Sequence, residues 1–298
     1  MPTSPAFFQP GVVVDLGYKN VRDEPNLNEA KSFTEELWLK YRHLADVHFL
    51  SDAQTHFLQR FWEMYLACTL IERGIELHRA GNAGPEFFFL HNGRRVWVEA
   101  IAPGPGTGAD KVPDIVYGEA YTVPTDKILL RFTSALRDKH LKRLKDVSRG
   151  IVKADEPVLL AINSRGIPHA PYGSEMPYII KALLPFGSLS ISIDPITRSA
   201  SEPIYQYRHE IQKENSSSVG TTAFLGNAYE SFTAVIHSGV DCANRPASLG
   251  DDFVLVHNAG TNFELSKHAL PWCRQFQYKD NMLNEVPRAA LYLPPDRR

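Results

Sequence analysis

Apolar residues recur at helical spacing through the first quarter of the chain. Phe33, Leu37, Tyr41 and Leu44 predict a helix over 31–49. Phe57, Phe61, Tyr65 and Cys68 predict a longer one over about 52–73, with Ser51 as its N-cap and Gly74 where helices commonly end. A short strand over 75–78 and a loop over 81–84 follow. Next, two apolar runs flank Asn92-Gly93, a strong hairpin signal because both turn positions need positive φ. A two-residue turn pairs His91 with Arg94, Leu90 with Arg95, Phe88 with Trp97, and Glu86 with Glu99. Beyond a Gly/Pro loop over 103–113, the chain predicts a helix over about 125–149. The apolar run 157–163 then reads as a fully buried strand.

Helix, strand, hairpin, helix and strand in that order give an α/β fold: a sandwich with helices around a mixed central sheet, occupying 31–165. Residues 1–30, rich in Pro and Asn, read as an extended N-terminal arm. The remainder, 166–298, reads as a mainly β C-terminal elaboration packed on that core. Its strand candidates are 189–193, 203–207, 233–237 and 253–257, with a polar loop over 212–222 and no internal repeat.

Composition narrows the function classes. The chain has 298 residues, 43% apolar and 22% charged, with a formal net charge of −2. That balance exerts no global pull on nucleic acid or an anionic membrane, so any such binding needs a local patch. No apolar run approaches the ~20 residues that span a bilayer. The first ten residues lack the pattern of a secretory signal. Cys68, Cys242 and Cys273 have no paired-ligand spacing, which argues against a disulfide framework or a structural zinc and fits a cytoplasmic location.

Opposed residues on a hairpin share a face with Cβ atoms about 4.5–5.5 Å apart, so Glu86 and Glu99 should repel. One reading places both on a solvated face, paired with Arg94 or Arg95. The other places a divalent cation between them, and Glu99's apolar neighbours (Val96, Trp97, Val98, Ala100, Ile101) favour that one. Glu63, on the preceding helix, is a third acid, readable equally as an intrahelical partner of Arg60. On the 125–149 helix the apolar stripe Ile128, Leu129, Phe132, Ala135 and Leu136 runs into Lys139. A lysine there either snorkels or pairs with a buried carboxylate. Lys127, Arg131, Arg137, Lys142, Lys145 and Arg149 make the same helix basic, suited to tracking phosphates or to forming a solvated face.

Glu63, Pro85-Glu86 and Val98-Glu99-Ala100-Ile101, followed by that helix and strand, resemble the PD-(D/E)XK nuclease superfamily over about residues 50–165. The segments 84–86, 97–100 and 131–136 are also similar to a bacterial branch of it. The resemblance implies a restriction-endonuclease-like α/β/α sandwich. It also implies metal-dependent hydrolysis of nucleic-acid phosphodiester bonds, with DNA favoured over RNA, in defence or repair. Glu86, Glu99 and the Ala100 carbonyl would hold Mg²⁺ or Mn²⁺, with Glu63 acting through water. Lys139 would position the attacking water or neutralise the transition state. Arg131, Ser134 and Lys142 would bind flanking phosphate.

Two departures stand out. Glu86 occupies a position where the superfamily usually has aspartate, and Ile101 replaces the lysine two residues after the second acid. Lys139 is the candidate replacement, as in members whose lysine has moved to the following helix. Without a replacement, the chain would be a catalytically inactive binding or assembly module of the same fold. A small-molecule enzyme on another α/β scaffold is a third class.

Other motifs are missing or bland: there is no His-Glu-x-x-His, Gly-x-Ser-x-Gly or Walker sequence. The glycines at 104, 106 and 108 suggest a mobile flap. His43, His48 and His56 read as ordinary helix residues, and nothing selects Arg208 or Lys213. A homodimer would suit double-strand cutting, but no heptad pattern supports one.

Overall fold

The computed structural model describes residues 5–79, 81, 84–172 and 176–287. Its helices are α1 (Leu16–Asp23), α2 (Asn28–Tyr41), α3 (Phe49–Ala53), α4 (Phe57–Glu72), α5 (Thr125–Ser148) and α6 (Tyr178–Leu183). Strands β1 (His78–Arg79), β2 (Phe87–His91) and β3 (Arg94–Ile101) lie between α4 and α5, and β4 (Val158–Asn163) follows α5. Later strands are β5 (Phe186–Ser190), β6 (Ile204–Tyr207), β7 (Glu210–Gln212), β8 (Ser218–Gly220), β9 (Phe232–Ser238), β10 (Val254–His257), β11 (Arg274–Lys279) and β12 (Met282–Glu285).

One eight-stranded sheet runs β1-β2-β3-β4-β9-β10-β11-β12. The β3–β4, β4–β9 and β10–β11 pairs are parallel and the others antiparallel, so the fold is mixed α/β. Alternation along the strands separates two apolar layers. Val96, Val98, Ala100, Leu159 and Ala161 face α4, while Trp97, Leu160 and Ile162 face α5 and α6. Trp62 fixes α4 on its side, donating its indole N–H to the Ala161 carbonyl at 3.1 Å.

The hairpin adopts the expected register, with Phe88 opposite Trp97 and His91 opposite Arg94. Its turn residues Asn92 and Gly93 have φ of 50° and 72°, the left-handed values that this turn demands.

Several expectations need correction. Residues 5–30 do not form an extended arm, and residues 1–4 lie outside the described residues. Asp15 caps α1 by accepting from Tyr18 N and also accepts from Phe57 N. Phe7 and Phe8 are buried against Tyr18 and Phe57. Aromatic burial, offset against chain entropy, outweighs the local preference of the Pro and Asn residues.

The predicted 52–73 helix is two helices. Phe49 packs against Trp38 and Tyr41 at ring separations of 5.6 and 4.9 Å, and the backbone breaks at His56, where φ is −141°. Ser51 therefore lies inside α3 and caps nothing. The segment expected as a polar loop over 212–222 holds the turn and second strand of the β7–β8 hairpin, in which Glu210 pairs with Gly220.

The C-terminal part is not an elaboration packed on a finished core, since β9 to β12 form half of the central sheet. Two of those strands escape sequence patterning. In β11, Gln275 is fully buried and donates to the Lys267 and Leu270 carbonyls, which hides the apolar face. Buried Phe276 on β11 should therefore behave as a core residue. Phe276→Ala is expected to cost about 3–5 kcal/mol in urea unfolding; a loss within the range of a surface substitution would contradict that placement.

Candidate active site

The candidate site lies where β2 stops short of β3. The last pair in the β2–β3 ladder is Phe87 with Val98, which leaves the Ala100 N–H without a strand partner. Glu86 supplies one: its Oε2 accepts from Ala100 N at 3.0 Å, so a side-chain carboxylate continues the ladder. In a strand the N–H and C=O of one residue point to the same edge. The Ala100 carbonyl therefore faces the Glu86 side, where it accepts from Gln59 Nε2 at 3.2 Å and keeps a second lone pair.

Glu99 points to the α5 face and is only 3% exposed. Lys139 and Lys142, one turn apart on α5, meet it there. Lys139 Nζ lies 2.6 Å from Glu99 Oε2 and 3.4 Å from Glu86 Oε1, bridging the two acids. Lys142 Nζ donates to the other Glu99 oxygen, Oε1, and to the Gly84 carbonyl at 2.9 Å. Of the two sequence readings of Lys139, pairing with buried carboxylate is the one observed.

Charge and burial compete in this cluster. Burial, with Glu99 close by, pushes the Glu86 carboxyl up to about 7. Burial acts the same way on Glu99, but the ammonium groups of Lys139 and Lys142 outweigh it and hold Glu99 below the ordinary carboxylate range. Lys139 is buried too, yet Glu86 and Glu99 raise it above the usual lysine value.

Glu63 sits on the α4 side of the cluster. It accepts from Gln59 Nε2 at 2.8 Å and Arg60 Nη1 at 2.7 Å, so the intrahelical pair exists. Burial nevertheless raises its carboxyl. A cavity of about 140 Å³ is lined by Glu63, Glu86, Tyr41, Asp46, Arg60 and Arg79 among others, a volume that holds only a few waters or a partly hydrated ion.

The structure thus gathers Glu86, Glu99, Ala100, Lys139, Lys142 and Glu63. Arg131 and Ser134 stand apart from that cluster's contacts. Arg131 donates through Nε to the Gly104 carbonyl at 2.9 Å and makes no ion pair among the described residues. That bond also bears on the 103–113 loop. Lys127 Nζ donates to the Ala109 carbonyl and Val112 N to the Pro105 carbonyl, while Asp110 accepts from Glu214 N. Val112 is fully buried. The loop expected as a flap is fastened at both ends and in the middle.

Gln59 escapes the sequence reading as a functional residue, although it lies four positions before Glu63 on one helical face. Its carboxamide also accepts from Ala102 N at 2.7 Å, so a single side chain fixes Glu63 and both ends of the Ala100–Ala102 segment. The only signal is that spacing.

All the donors directed at the gap are oxygens: two carboxylates and a backbone carbonyl. Among the described residues no group of three His, Cys, Asp or Glu side chains is placed to hold a metal. No described helix is long and apolar enough to cross a membrane. Comparison with protein-family profiles, with curated proteins and with solved structures gives no match.

The shift of Glu86 has a stability consequence with a definite sign. An acid that ionises near 4.5 when unfolded and near 7 when folded holds the extra proton in the folded state between those values. Stability is therefore lost as pH rises through that window. Glu86→Gln carries no such proton, so it should gain on wild type in urea unfolding from pH 4.5 to 7. A difference that stays constant with pH would contradict the shift.

Proposed function

We propose that this protein is a metal-dependent phosphodiesterase acting on nucleic acid, most readily DNA, on a restriction-endonuclease-like framework. The observation that carries the proposal is the position of Lys139, whose ammonium bridges Glu86 and Glu99 beside the Ala100 carbonyl. This supplies from α5 the positive group that Ile101 cannot supply from β3.

The donor chemistry fits a hard divalent cation. Glu86, Glu99 and the Ala100 carbonyl are oxygen ligands converging on one strand edge, and burial together with the neighbouring Glu99 pushes the Glu86 carboxyl up to about 7. Mg²⁺ or Mn²⁺ bound there supplies Lewis-acid polarisation of a phosphate and acidifies water. Glu86 and Glu99 would hold the ion, with the Ala100 carbonyl, which Gln59 fixes by a hydrogen bond, as a third oxygen. Lys139, with Glu99 fixing its direction, donates to a phosphate oxygen or to the attacking water as negative charge accumulates. Glu63, already engaged by Gln59 and Arg60, steadies that side of the pocket.

One observation favours a second reading. Both Glu99 oxygens are already met by ammonium groups, so Glu99 is neutralised without any ion. A binding or assembly module retaining the same fold would need nothing more.

Plasmid cleavage in Mg²⁺ or Mn²⁺ separates the two. The nuclease reading expects nicking by wild type, none by Glu99→Gln, and a loss of about 100-fold or more in Lys139→Ala. A melting temperature that rises with metal, with no cleavage of DNA or RNA, would leave the binding module standing and remove the enzyme.

A further inference from the structure

The Lys142 ammonium occupies a cage of three oxygens. Glu99 Oε1 is hydrogen-bonded to it, the Gly84 carbonyl lies at 2.9 Å and Asp146 Oδ2 at 3.7 Å. Two carboxylates and a carbonyl around one positive charge form a donor set suited to a hard divalent cation as well as to an ammonium.

Asp146 points to a cation independently. Its side chain is 8% exposed, and Oδ2 is buried with no hydrogen-bond partner among the described residues. A buried carboxylate oxygen without a donor is costly, and Lys142 stands too far away to satisfy it. Lys142 itself is 37% exposed and can withdraw its ammonium into water along its flexible stem. The carbonyl is fixed by its glycine. Gly84 has φ of +103°, and a Cβ there would lie 2.8 Å from Ile151 Cγ2, so a side-chain-bearing residue would displace it.

We propose that the place held by Lys142 Nζ is a second cation site, formed by Glu99, Asp146 and the Gly84 carbonyl, with Lys142 as its displaceable plug. Glu99 is shared with the Glu86 side, so two ions on either side of it would clamp a phosphate between them. That catalytic use rests on the phosphodiesterase reading; binding of the ion does not.

Mn²⁺ titration of the full chain, by calorimetry with electron paramagnetic resonance counting of bound ion, tests the site. Lys142→Met should bind the ion of this site about 10-fold or more tightly than wild type, which must first displace its own ammonium, and adding Asp146→Asn should remove that ion. If the Glu86 side takes no ion, wild type and Lys142→Met each bind one at saturation instead of two, so failure of the nuclease reading is distinguishable. Equal affinity for that ion in wild type and folded Lys142→Met overturns the proposal, as does a stoichiometry unchanged by Asp146→Asn. Wild type gives a readout free of any folding defect. Saturating Mn²⁺ should speed acetylation of Lys142, followed by peptide mass spectrometry, because the ammonium is released. Labelling unchanged by Mn²⁺ overturns the displacement.

Discussion

Glu99 is the constraint around which the rest is arranged. A carboxylate buried to 3% exposure on the inner face of a sheet survives as an anion only if positive charge is delivered to it. The delivery comes from α5, where Lys139 and Lys142 sit three residues apart, one on each carboxylate oxygen. Two contacts from adjacent turns fix both the rotation and the height of α5 over β3. A buried ion pair is a poor source of net stability compared with apolar packing. Its value here lies in specificity, since a shifted helix or a strand slipped by one residue would leave Glu99 charged and alone.

The same cluster is short of positive charge on its other side. Glu86 continues the β3 ladder with a carboxylate instead of a backbone carbonyl, and Glu63 is buried across the pocket. Arg60 covers Glu63, but Lys139 must be divided between Glu86 and Glu99. Asp146 adds a further buried acid, with the Lys142 ammonium 3.7 Å away. The proposal of a bound metal rests on this excess of buried oxygen over cation. The stability of the fold alone does not require it.

Much of this was legible from the chain because the relevant rules are local. Asn92-Gly93 fixes the turn, the turn fixes the register, and the register sets Glu86 against the end of β3. Lys139 announces itself by breaking an apolar stripe. What was hidden depends on polar side chains serving the backbone or on uniform burial. Gln59 and Gln275 read as surface residues, yet each satisfies main-chain groups inside the protein. α6 is buried on every side, so it has no amphipathic period to detect. Lys142 was legible as a basic helix residue, but not which face meets Glu99, because helix periodicity does not reveal the height of α5 against β3.

A double-mutant cycle on Glu99 and Lys139 measures how far the two groups hold each other. Unfolding free energies of wild type, Glu99→Gln, Lys139→Met and the double variant at neutral pH yield their coupling. A stabilising coupling of about 1–3 kcal/mol is expected, the double variant being far less damaged than the two single losses imply. Losses that simply add would mean that the two groups do not hold each other, and that the site is arranged by something else.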